Sequence, residues 1–264
     1  MHEQPVGVTW RTIRLTGETS TAKDDVVATE WPLTIRLDDE EFATIVCSPQ
    51  HLDDLIVGFL ASEGVIRSPE DIKDRTLDED GGFAYVRLHR PQATAKAFYS
   101  RRYIGSCCGK SRQFYLHNDA RTAKTVIGGA QITARQCFEF MHALQEQSDA
   151  FRTTGGVHNA ALFHPETGLV AARMDIGRHN ALDKLFGHCL KHRIPAKRHI
   201  IAFSGRLSSE VVLKAAKIGC PIMLSKSAPT DLALKLADEL GITCVGFIRS
   251  GSLNIYTHAQ RIVH

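Results

Sequence analysis

The sequence lacks the long apolar runs and ordered cysteine pairs that mark several large classes of protein. No stretch approaches the roughly 20 apolar residues that a membrane-spanning helix needs. The N-terminus shows no basic region followed by an apolar run, so we expect no signal peptide. Seven cysteines, an odd number without regular spacing, do not suit a disulfide framework. These absences favour a globular protein of the reducing cytoplasm, with no membrane partner.

The motifs of several enzyme classes are missing as well. The chain has no Walker-type loop, no GxSxG, no CxxC pair, and not the HxE with PCxxC of zinc deaminases. Its 13 histidines are scattered, and no Cys/His set has the spacing of zinc ligands, so we predict no intrinsic metal. A net charge of +3 without clustering does not predict binding to nucleic acid.

The first part of the chain reads as strands around one helix. Residues 30–37 alternate apolar and polar side chains, which predicts a half-buried strand. Ser48 and Pro49 predict an N-cap and first helical position for a helix over residues 49–62, which Gly64 ends. The predicted division is an N-terminal α+β region at 1–100, a cysteine-bearing connection at 101–130 and an α/β cofactor-binding core at 131–264.

From about residue 153 strands and helices alternate, which predicts an α/β layer structure with a sheet that is at least partly parallel. Thr133 and Gln136 form a capping-box pattern that predicts the start of one further helix. The predicted strands are 159–163, 169–174, 199–203, 221–225 and 243–248, and the predicted helices are 179–191, 208–218 and 230–240.

Adjacent cysteines in a loop of small residues are the first candidate for chemistry. Cys107 and Cys108 lie between Gly105 and Gly109, and Lys110 follows. A neighbouring cation lowers the pKa of a thiol and so raises its reactive fraction. The alternative is that two cysteines are neighbours in a surface loop by chance. The remaining cysteines fall in apolar patterns where a thiol packs as a small hydrophobe: Cys47, Cys137, Cys189, Cys220 and Cys244.

Two further motifs flank predicted strands. In TGGVHNAA, His158 follows paired glycines and could serve as an acid, a base or a hydrogen-bond donor. In DIGRHNALDK, Arg178 and His179 follow a strand, where open α/β sheets bind ligands and a guanidinium can grip a phosphate. A structural histidine and an ordinary helix start explain the same residues, so both interpretations stay open.

Two serine-rich segments each follow a strand and open a helix. SGRLSSE contains Arg206 and Ser208, and SKSAPT contains Lys226 and Ser227. Free amides at a helix N-terminus favour an anion such as phosphate, and these side chains would supplement them. Capping explains the serines equally well in either segment alone. Their repetition at successive strand ends favours a phosphate-bearing ligand.

Taken together and in order, these motifs resemble the FdhD family of formate dehydrogenase accessory proteins, over roughly residues 26–258. The segments that carry the resemblance are EWPLTI at 30–35, GFLASEG at 58–64, the cysteine loop, TGGVHNAAL at 154–162, DIGRHNALDK at 175–184, SGRLSSE at 204–210, SKSAPTDLA at 225–233 and GFIRSGSLNIYT at 246–257.

The resemblance implies a fold and a function. The fold would be α/β, with a cytidine-deaminase-like three-layer core that has a mixed sheet and no zinc site, plus a smaller strand-rich N-terminal region. The function would be that of a sulfurtransferase that takes sulfane sulfur from a cysteine desulfurase as a cysteine persulfide. The sulfur would pass to the molybdenum cofactor, bis-molybdopterin guanine dinucleotide, which is held as cargo for a formate dehydrogenase.

The resemblance also assigns residues. The family loop is a CxxC followed by glycine, whereas this chain has Cys107-Cys108-Gly109-Lys110. Alignment on the Cys-Gly-Lys step makes Cys108 the expected persulfide carrier, with Cys107 as a shifted partner or a bystander. Neighbouring cysteines seldom form a disulfide, so a two-cysteine redox cycle is not expected. The residues expected to hold the cofactor are His158, Arg178, His179, Arg206, Ser208, Lys226, Ser227 and Asn254.

Two other functions compete with sulfur transfer. A cofactor chaperone would bind and deliver the molybdenum cofactor without a reactive thiol, and it would keep its activity when both loop cysteines are replaced. A nucleotide deaminase would contain tightly bound zinc. The apolar strands could in addition support a homodimer, although no particular residue predicts one.

Overall fold

The computed structural model describes residues 5–90, 102–104, 123, 125–126, 129–147, 149–249 and 251–263, with the backbone alone for 102–104. Cys107 and Cys108, and most of the predicted connection at 101–130, lie outside these residues. Within the described part, no helix is both long enough and apolar enough to cross a membrane.

The chain begins with a two-stranded ribbon that the sequence patterns did not predict. Strands β1 (Gly7–Thr16) and β2 (Thr19–Ala28) pair antiparallel along their whole length. Trp10 and Ile13 are exposed on this ribbon, which therefore owes its order to backbone pairing more than to burial of side chains.

A five-stranded sheet follows, and it confirms the strand predicted at 30–37. Its strands lie side by side in the order β5-β6-β3-β4-β7. Alternate side chains of β3, such as Leu33 and Ile35, are fully buried, as period-two patterning requires. The strands are β3 (Trp31–Leu37), β4 (Glu40–Cys47), β5 (Ile72–Asp78), β6 (Phe83–Leu88) and β7 (Arg102–Ile104).

Helix α1 (Leu52–Ser62) starts later than predicted. Its N-cap is His51, in a left-handed conformation with φ of 54°, so the prediction of Ser48 as N-cap was wrong. Ser48 is engaged elsewhere, because its hydroxyl accepts a hydrogen bond of 3.0 Å from the amide of Ile176. The predicted end is confirmed, since Gly64 has φ of 73° just beyond the helix.

The second half of the chain contains helices α2 to α6 and strands β8 to β15. The elements that were predicted lie close to their predicted bounds, whereas α3, β8, β14 and β15 were not predicted. The capping box of Thr133 and Gln136 is confirmed at the start of α2. The helices are α2 (Ala134–Glu146), α3 (Asp149–Thr154), α4 (Arg178–Lys191), α5 (Ser209–Ile218) and α6 (Asp231–Glu239). The strands are β8 (Ile132–Thr133), β9 (His158–His164), β10 (Gly168–Asp175), β11 (Ile200–Phe203), β12 (Ile222–Ser225), β13 (Thr243–Arg249), β14 (Ser252–Ile255) and β15 (Ile262–Val263).

Six of these strands form a mixed sheet in the order β10-β9-β11-β12-β13-β14. Strands β11, β12 and β13 are parallel, whereas β9 runs antiparallel to β10 and β11, and β14 antiparallel to β13. As a result β10, β11, β12 and β13 all end at the same edge, which we call the carboxyl edge, and β9 begins there. The expected mixed α/β architecture is confirmed.

Apolar residues join the two large sheets through the helices between them. One cluster includes Leu33 of β3, Leu55 of α1, Leu185 of α4 and Phe203 of β11. Residues of the predicted N-terminal region and of the predicted α/β core thus contribute to the same interior. A second cluster packs α2 against the opposite face of the six-stranded sheet, where the rings of Phe140 and Phe163 stack 4.6 Å apart.

Helices α1 and α4 approach each other unusually closely. A Cβ atom added to Gly58 would lie 1.8 Å from the carbonyl oxygen of Asp183, and one added to Gly187 would lie 1.9 Å from that of Asp54. Only glycine allows such backbone contact. This contact fixes the position of α4 relative to α1 and the five-stranded sheet. It therefore also fixes the start of α4 at the carboxyl edge.

Candidate functional site

The carboxyl edge of the six-stranded sheet gathers polar residues from four separate segments of the chain. Each segment lies where a strand begins or ends, so the sheet itself determines their proximity. These residues are His158 at the start of β9, Arg178 and His179 at the start of α4, Arg206 and Ser208 between β11 and α5, and Lys226 and Ser227 between β12 and α6.

His158 lies next to Ser204, the residue that follows β11. Its Nδ1 atom is 3.4 Å from Ser204 Oγ, and the same hydroxyl accepts a hydrogen bond of 2.9 Å from the amide of Asn159. Burial lowers the pKa of His158, and the Arg178 cation lowers it further, although Asp175 opposes the shift. The imidazole is therefore neutral at physiological pH and can act as a hydrogen-bond donor or acceptor.

The two serine-rich segments are joined to each other. Leu207 and Pro229 form a parallel bridge outside the named strands. Ser225 Oγ donates 2.7 Å to the carbonyl of Gly205, and Ser227 Oγ donates 3.4 Å to that of Ser204. The loops after β11 and β12 consequently form one continuous surface.

Neither helix start on this surface is capped by the side chain of its own N-cap residue. Ser208 and Thr230 are the N-cap residues of α5 and α6, and neither makes a side-chain cap hydrogen bond. Ser208 Oγ is buried and has no hydrogen-bond partner among the described residues. Capping therefore does not explain these residues here. Free amides, an unpaired hydroxyl and the positive ends of two helix dipoles suit an anionic ligand.

The start of α4 is tied to the start of α5. His179 Nε2 lies 2.8 Å from Glu210 Oε2, with both side chains about one-fifth exposed. Arg178 precedes this pair and is half-buried, and its charge acts on His158. The contact orients the first turn of α4 towards the loop that holds Ser208.

Beneath this turn is a buried ion pair whose role the sequence analysis did not identify. Lys184 Nζ and Asp175 Oδ2 are 2.7 Å apart, and both side chains are fully buried. The carboxylate also accepts hydrogen bonds from the amides of Ser48 and Gly177. A charged residue on the apolar stripe of α4, between Leu182 and Leu185, was the signal available in the sequence.

Two predicted residues make less contact with this group. Arg206 is exposed at the tip of the loop after β11. Asn254 lies in β14 opposite Gly246, and its Nδ2 donates to the hydroxyl of Tyr256 at 3.2 Å. A Cβ atom added to Gly246 would lie close to both the Tyr256 ring and the carbonyl of Ser227. The ring is therefore near the loop after β12. Asn254 is thus connected to the site through Tyr256.

A cleft of about 480 Å³ opens beside Asn159, the residue that follows His158 in β9. Asn159 and Met174 line the cleft. They face each other across β9 and β10, next to the pair formed by His158 and Asp175. Thr154 of α3 and Val26 of the ribbon line its walls. Its volume falls in the range of small-molecule sites in proteins.

The five described cysteines are free, buried and poorly suited to nucleophilic chemistry, as the apolar patterns predicted. Burial raises the pKa of Cys137, Cys189, Cys220 and Cys244 to about 12 in each case and that of Cys47 further still. Such thiols hold almost no thiolate at neutral pH. Among the cysteines of the chain, only Cys107 and Cys108, outside the described residues, remain as candidate nucleophiles.

Comparisons with known proteins agree with these motifs. The sequence model of the FdhD/NarQ family matches residues 28–263. Proteins named sulfur carrier protein FdhD include one from Geobacillus kaustophilus, 59% identical over 91% of each chain, and one from Halalkalibacterium halodurans, 56% identical over 98% of this chain and 96% of that protein. A crystal structure from Desulfotalea psychrophila, described as that of a candidate formate dehydrogenase accessory protein, has a TM-score of 0.79 at 25% identity and covers 98% of this chain and 100% of that one. The chain therefore belongs to the FdhD/NarQ family.

Proposed function

We propose that this protein carries sulfane sulfur from a cysteine desulfurase, as a persulfide on Cys108, to the bis-molybdopterin guanine dinucleotide cofactor of a formate dehydrogenase. The carboxyl edge would hold the cofactor as cargo. The name that the Geobacillus and Halalkalibacterium relatives bear, sulfur carrier protein, supports transfer of sulfur as the function.

The observation that carries the proposal is the register of β7. This strand pairs parallel with β4, and Ile104 at its end lies opposite Ile45. Three residues beyond Ile45 is Ser48, whose hydroxyl accepts from the amide of Ile176, two residues before Arg178. The end of β7 therefore points towards the same end of the molecule as the carboxyl edge.

Chain length then limits how far the cysteines can be from that strand end. Cys107 and Cys108 follow Ile104 by three and four residues. An extended residue spans at most about 3.6 Å, so Cys108 stays within roughly 14 Å of Ile104. This tether supports delivery of sulfur from the cysteine loop to a ligand at the carboxyl edge.

The donors at that edge fit the phosphate groups of a guanine dinucleotide. The amides at the starts of α5 and α6 and the unpaired Ser208 hydroxyl suit anionic oxygens. Lys226 and Arg206 would add positive charge at the same loops, and Arg178 would add it at the start of α4. His158 and His179 would orient the cofactor or move protons.

The proposed chemistry has two steps. In the first, the Cys108 thiolate attacks the outer sulfur of the desulfurase persulfide, the donor S–S bond breaks, and the donor cysteine leaves as a thiolate. In the second, two electrons from a thiol reductant cleave the Cys108 persulfide and the reductant becomes a disulfide. The outer sulfur leaves as sulfide and replaces an oxygen ligand of the molybdenum, which departs as water.

The fold is also consistent with the proposed likeness to the cytidine-deaminase core. A mixed sheet in the order β10-β9-β11-β12-β13 has α2 on one face and α4 and α5 on the other, which makes three layers. Among the described residues, no group of three His, Cys, Asp or Glu side chains is arranged to hold a metal ion. The proposed likeness concerns the fold and does not extend to a zinc site.

Intact-mass spectrometry after incubation with a cysteine desulfurase and L-cysteine tests the proposal. We expect a reducible mass gain of one sulfur atom in the wild type and in Cys107→Ala, and none in Cys108→Ala. Cys244→Ala, at a buried cysteine, is the matched control and should keep the gain. No gain in the wild type with any desulfurase, while the cofactor still binds, would instead indicate a chaperone that delivers the cofactor without transferring sulfur.

A further inference from the structure

Ser204 is the first residue of the SGRLSSE motif, to which neither the sequence analysis nor the proposed mechanism gives a role, yet it contacts His158 directly. The hydroxyl accepts a hydrogen bond from the amide of Asn159 at 2.9 Å and lies 3.4 Å from His158 Nδ1. Its own backbone is held firmly, because the amide of Ser204 donates 3.0 Å to the carbonyl of Asn159. Ser204 and Asn159 therefore have little freedom to move apart.

The number of protons at this contact decides which way the hydrogen bond runs. A serine hydroxyl has one proton to donate and can accept through its lone pairs, and a neutral imidazole carries one proton on either Nδ1 or Nε2. With Nδ1 unprotonated, the Ser204 proton points to it and every group at the contact is satisfied. With Nδ1 protonated, the Ser204 hydroxyl would accept twice and its own proton would have no acceptor among the described residues.

The charges around the ring favour the neutral form. The Arg178 cation and burial disfavour an imidazolium, and the Asp175 carboxylate, which would favour one, is already paired with Lys184. No described residue is a hydrogen-bond partner of His158 Nε2. This nitrogen is thus the one available to a ligand at the carboxyl edge.

We propose that Ser204 is a positioning residue whose hydroxyl holds His158 in the tautomer protonated on Nε2. The Nε2–H group is then a fixed donor for an anionic oxygen or sulfur atom of the bound ligand. The identity of that ligand rests on the proposed function, whereas the tautomer does not. A donor of fixed direction costs nothing to reorient when the ligand binds, which raises affinity.

Nitrogen-15 NMR of the imidazole rings tests the tautomer without any ligand. Long-range proton–nitrogen spectra distinguish the protonated from the unprotonated ring nitrogen, and His158→Gln identifies the His158 signals by their loss. We expect Nε2 to be protonated in the wild type and in Ser204→Thr, which keeps the hydroxyl. Ser204→Ala should show a mixture of the two tautomers, with the other histidine signals unchanged as a sign that the variant folds.

Titration with guanosine diphosphate, used as a probe for the nucleotide end of the cargo, tests the donor. Ser204→Ala should bind it about tenfold more weakly than the wild type, which corresponds to 1.4 kcal/mol, and Ser204→Thr should restore the affinity. Protonation of Nδ1 in the wild type would overturn the assignment. So would a Ser204→Ala variant that keeps the Nε2 tautomer alone or binds the probe as well as the wild type.

Failure of the proposed function would give a different experimental result from failure of the Ser204 proposal. Loading of sulfur on Cys108 depends on the cysteine loop and should be equal in the wild type, Ser204→Ala and Ser204→Thr. If the wild type acquires no persulfide while the tautomer and the probe behave as expected, sulfur transfer is refuted and the role of Ser204 stands.

Discussion

Lys184 and Asp175 form an ion pair of 2.7 Å that is completely enclosed by the protein. The ammonium also donates to the carbonyls of Ser48 at 3.0 Å and Met174 at 3.2 Å. These bonds join the end of β4 to the turn that precedes α4. The pair therefore links the strand beside β7 to the strand end that leads to Arg178.

Removal of one partner should be costly, because the other charge would remain buried without compensation. We expect Lys184→Met to lower the free energy of unfolding by about 3–5 kcal/mol. Urea unfolding measures this loss. The matched control is Lys235→Met, at an exposed Lys235–Asp231 pair of similar length, 2.9 Å, which should cost about 1 kcal/mol or less. Equal losses in the two variants would show that the buried pair is not structurally important.

The close contact between α1 and α4 predicts a large effect of a single methyl group. Gly58→Ala would place its Cβ 1.8 Å from a backbone carbonyl, so the helices must separate. Overpacking costs about 1–3 kcal/mol and occasionally more, and a backbone clash belongs at the upper end. Thermal unfolding should show this loss.

Gly17→Ala serves as the control for that substitution. Gly17 lies between β1 and β2 with φ of 59°, and apart from its two chain neighbours no described residue has an atom within 4 Å of the position that a Cβ atom would take there. Only the strain of a left-handed alanine, about 1 kcal/mol, should appear. If Gly58→Ala proved no worse than this control, the helix contact would be more adaptable than its geometry indicates.

The stability of the fold should depend on His188 at mildly acidic pH. Burial lowers the pKa of His188 from 6.5 to about 4, and the nearby Arg173 cation contributes in the same direction. The unfolded chain then binds a proton more readily than the folded protein, so stability falls as the pH falls. The contribution is complete above 6.5 and is lost as the pH decreases towards about 4.

Replacement of the histidine should remove this dependence. In His188→Gln, the free energy of unfolding measured in urea should vary less with pH between about 6.5 and 4 than in the wild type. His142→Gln, at a histidine that is 71% exposed on α2, should leave the profile unchanged. A wild-type slope that persists in His188→Gln would assign the pH dependence to other groups.

The loop after β12 should contribute to binding of a phosphate-bearing ligand. A hydrogen bond to a charged group contributes about 1.5–3 kcal/mol, so Lys226→Ala should weaken binding of guanosine diphosphate by roughly ten- to a hundredfold. Isothermal titration calorimetry gives the comparison. Lys235→Ala removes an equal charge from α6 away from the carboxyl edge and should bind as the wild type does. Equal binding by all three proteins would exclude Lys226 from the site.

The elements that were predicted correctly are those whose patterns are local. The alternation in β3, the capping box of Thr133 and Gln136, and the glycine that ends α1 all depend on residues a few positions apart. Local patterns also predicted the starts of α5 and α6 at the carboxyl edge, because a strand end followed by serine is visible in the sequence.

The features that were missed depend on partners far away in the chain. Ser48 looks like an N-cap beside Pro49, but its hydroxyl is taken by Ile176, 128 positions later. Burial of the Lys184 charge is explained only by the tertiary structure, which places Asp175 and the end of β4 beside it. Likewise, no pattern within residues 102–104 indicates that they pair with β4. Tertiary contacts select among local possibilities that the sequence alone leaves equal.

The bridge between Leu207 and Pro229 has a consequence for the thermodynamics of ligand binding. Loops that are loose in the free protein lose conformational entropy when a ligand orders them, and this loss is subtracted from the affinity. Here hydrogen bonds of 3.2 Å from the amide of Leu207 to Ala228 and of 3.0 Å from the amide of Thr230 to Leu207 hold the two loops together before any ligand arrives. A ligand that spans both helix starts thus meets a preorganised surface, and most of its contact energy is available as affinity.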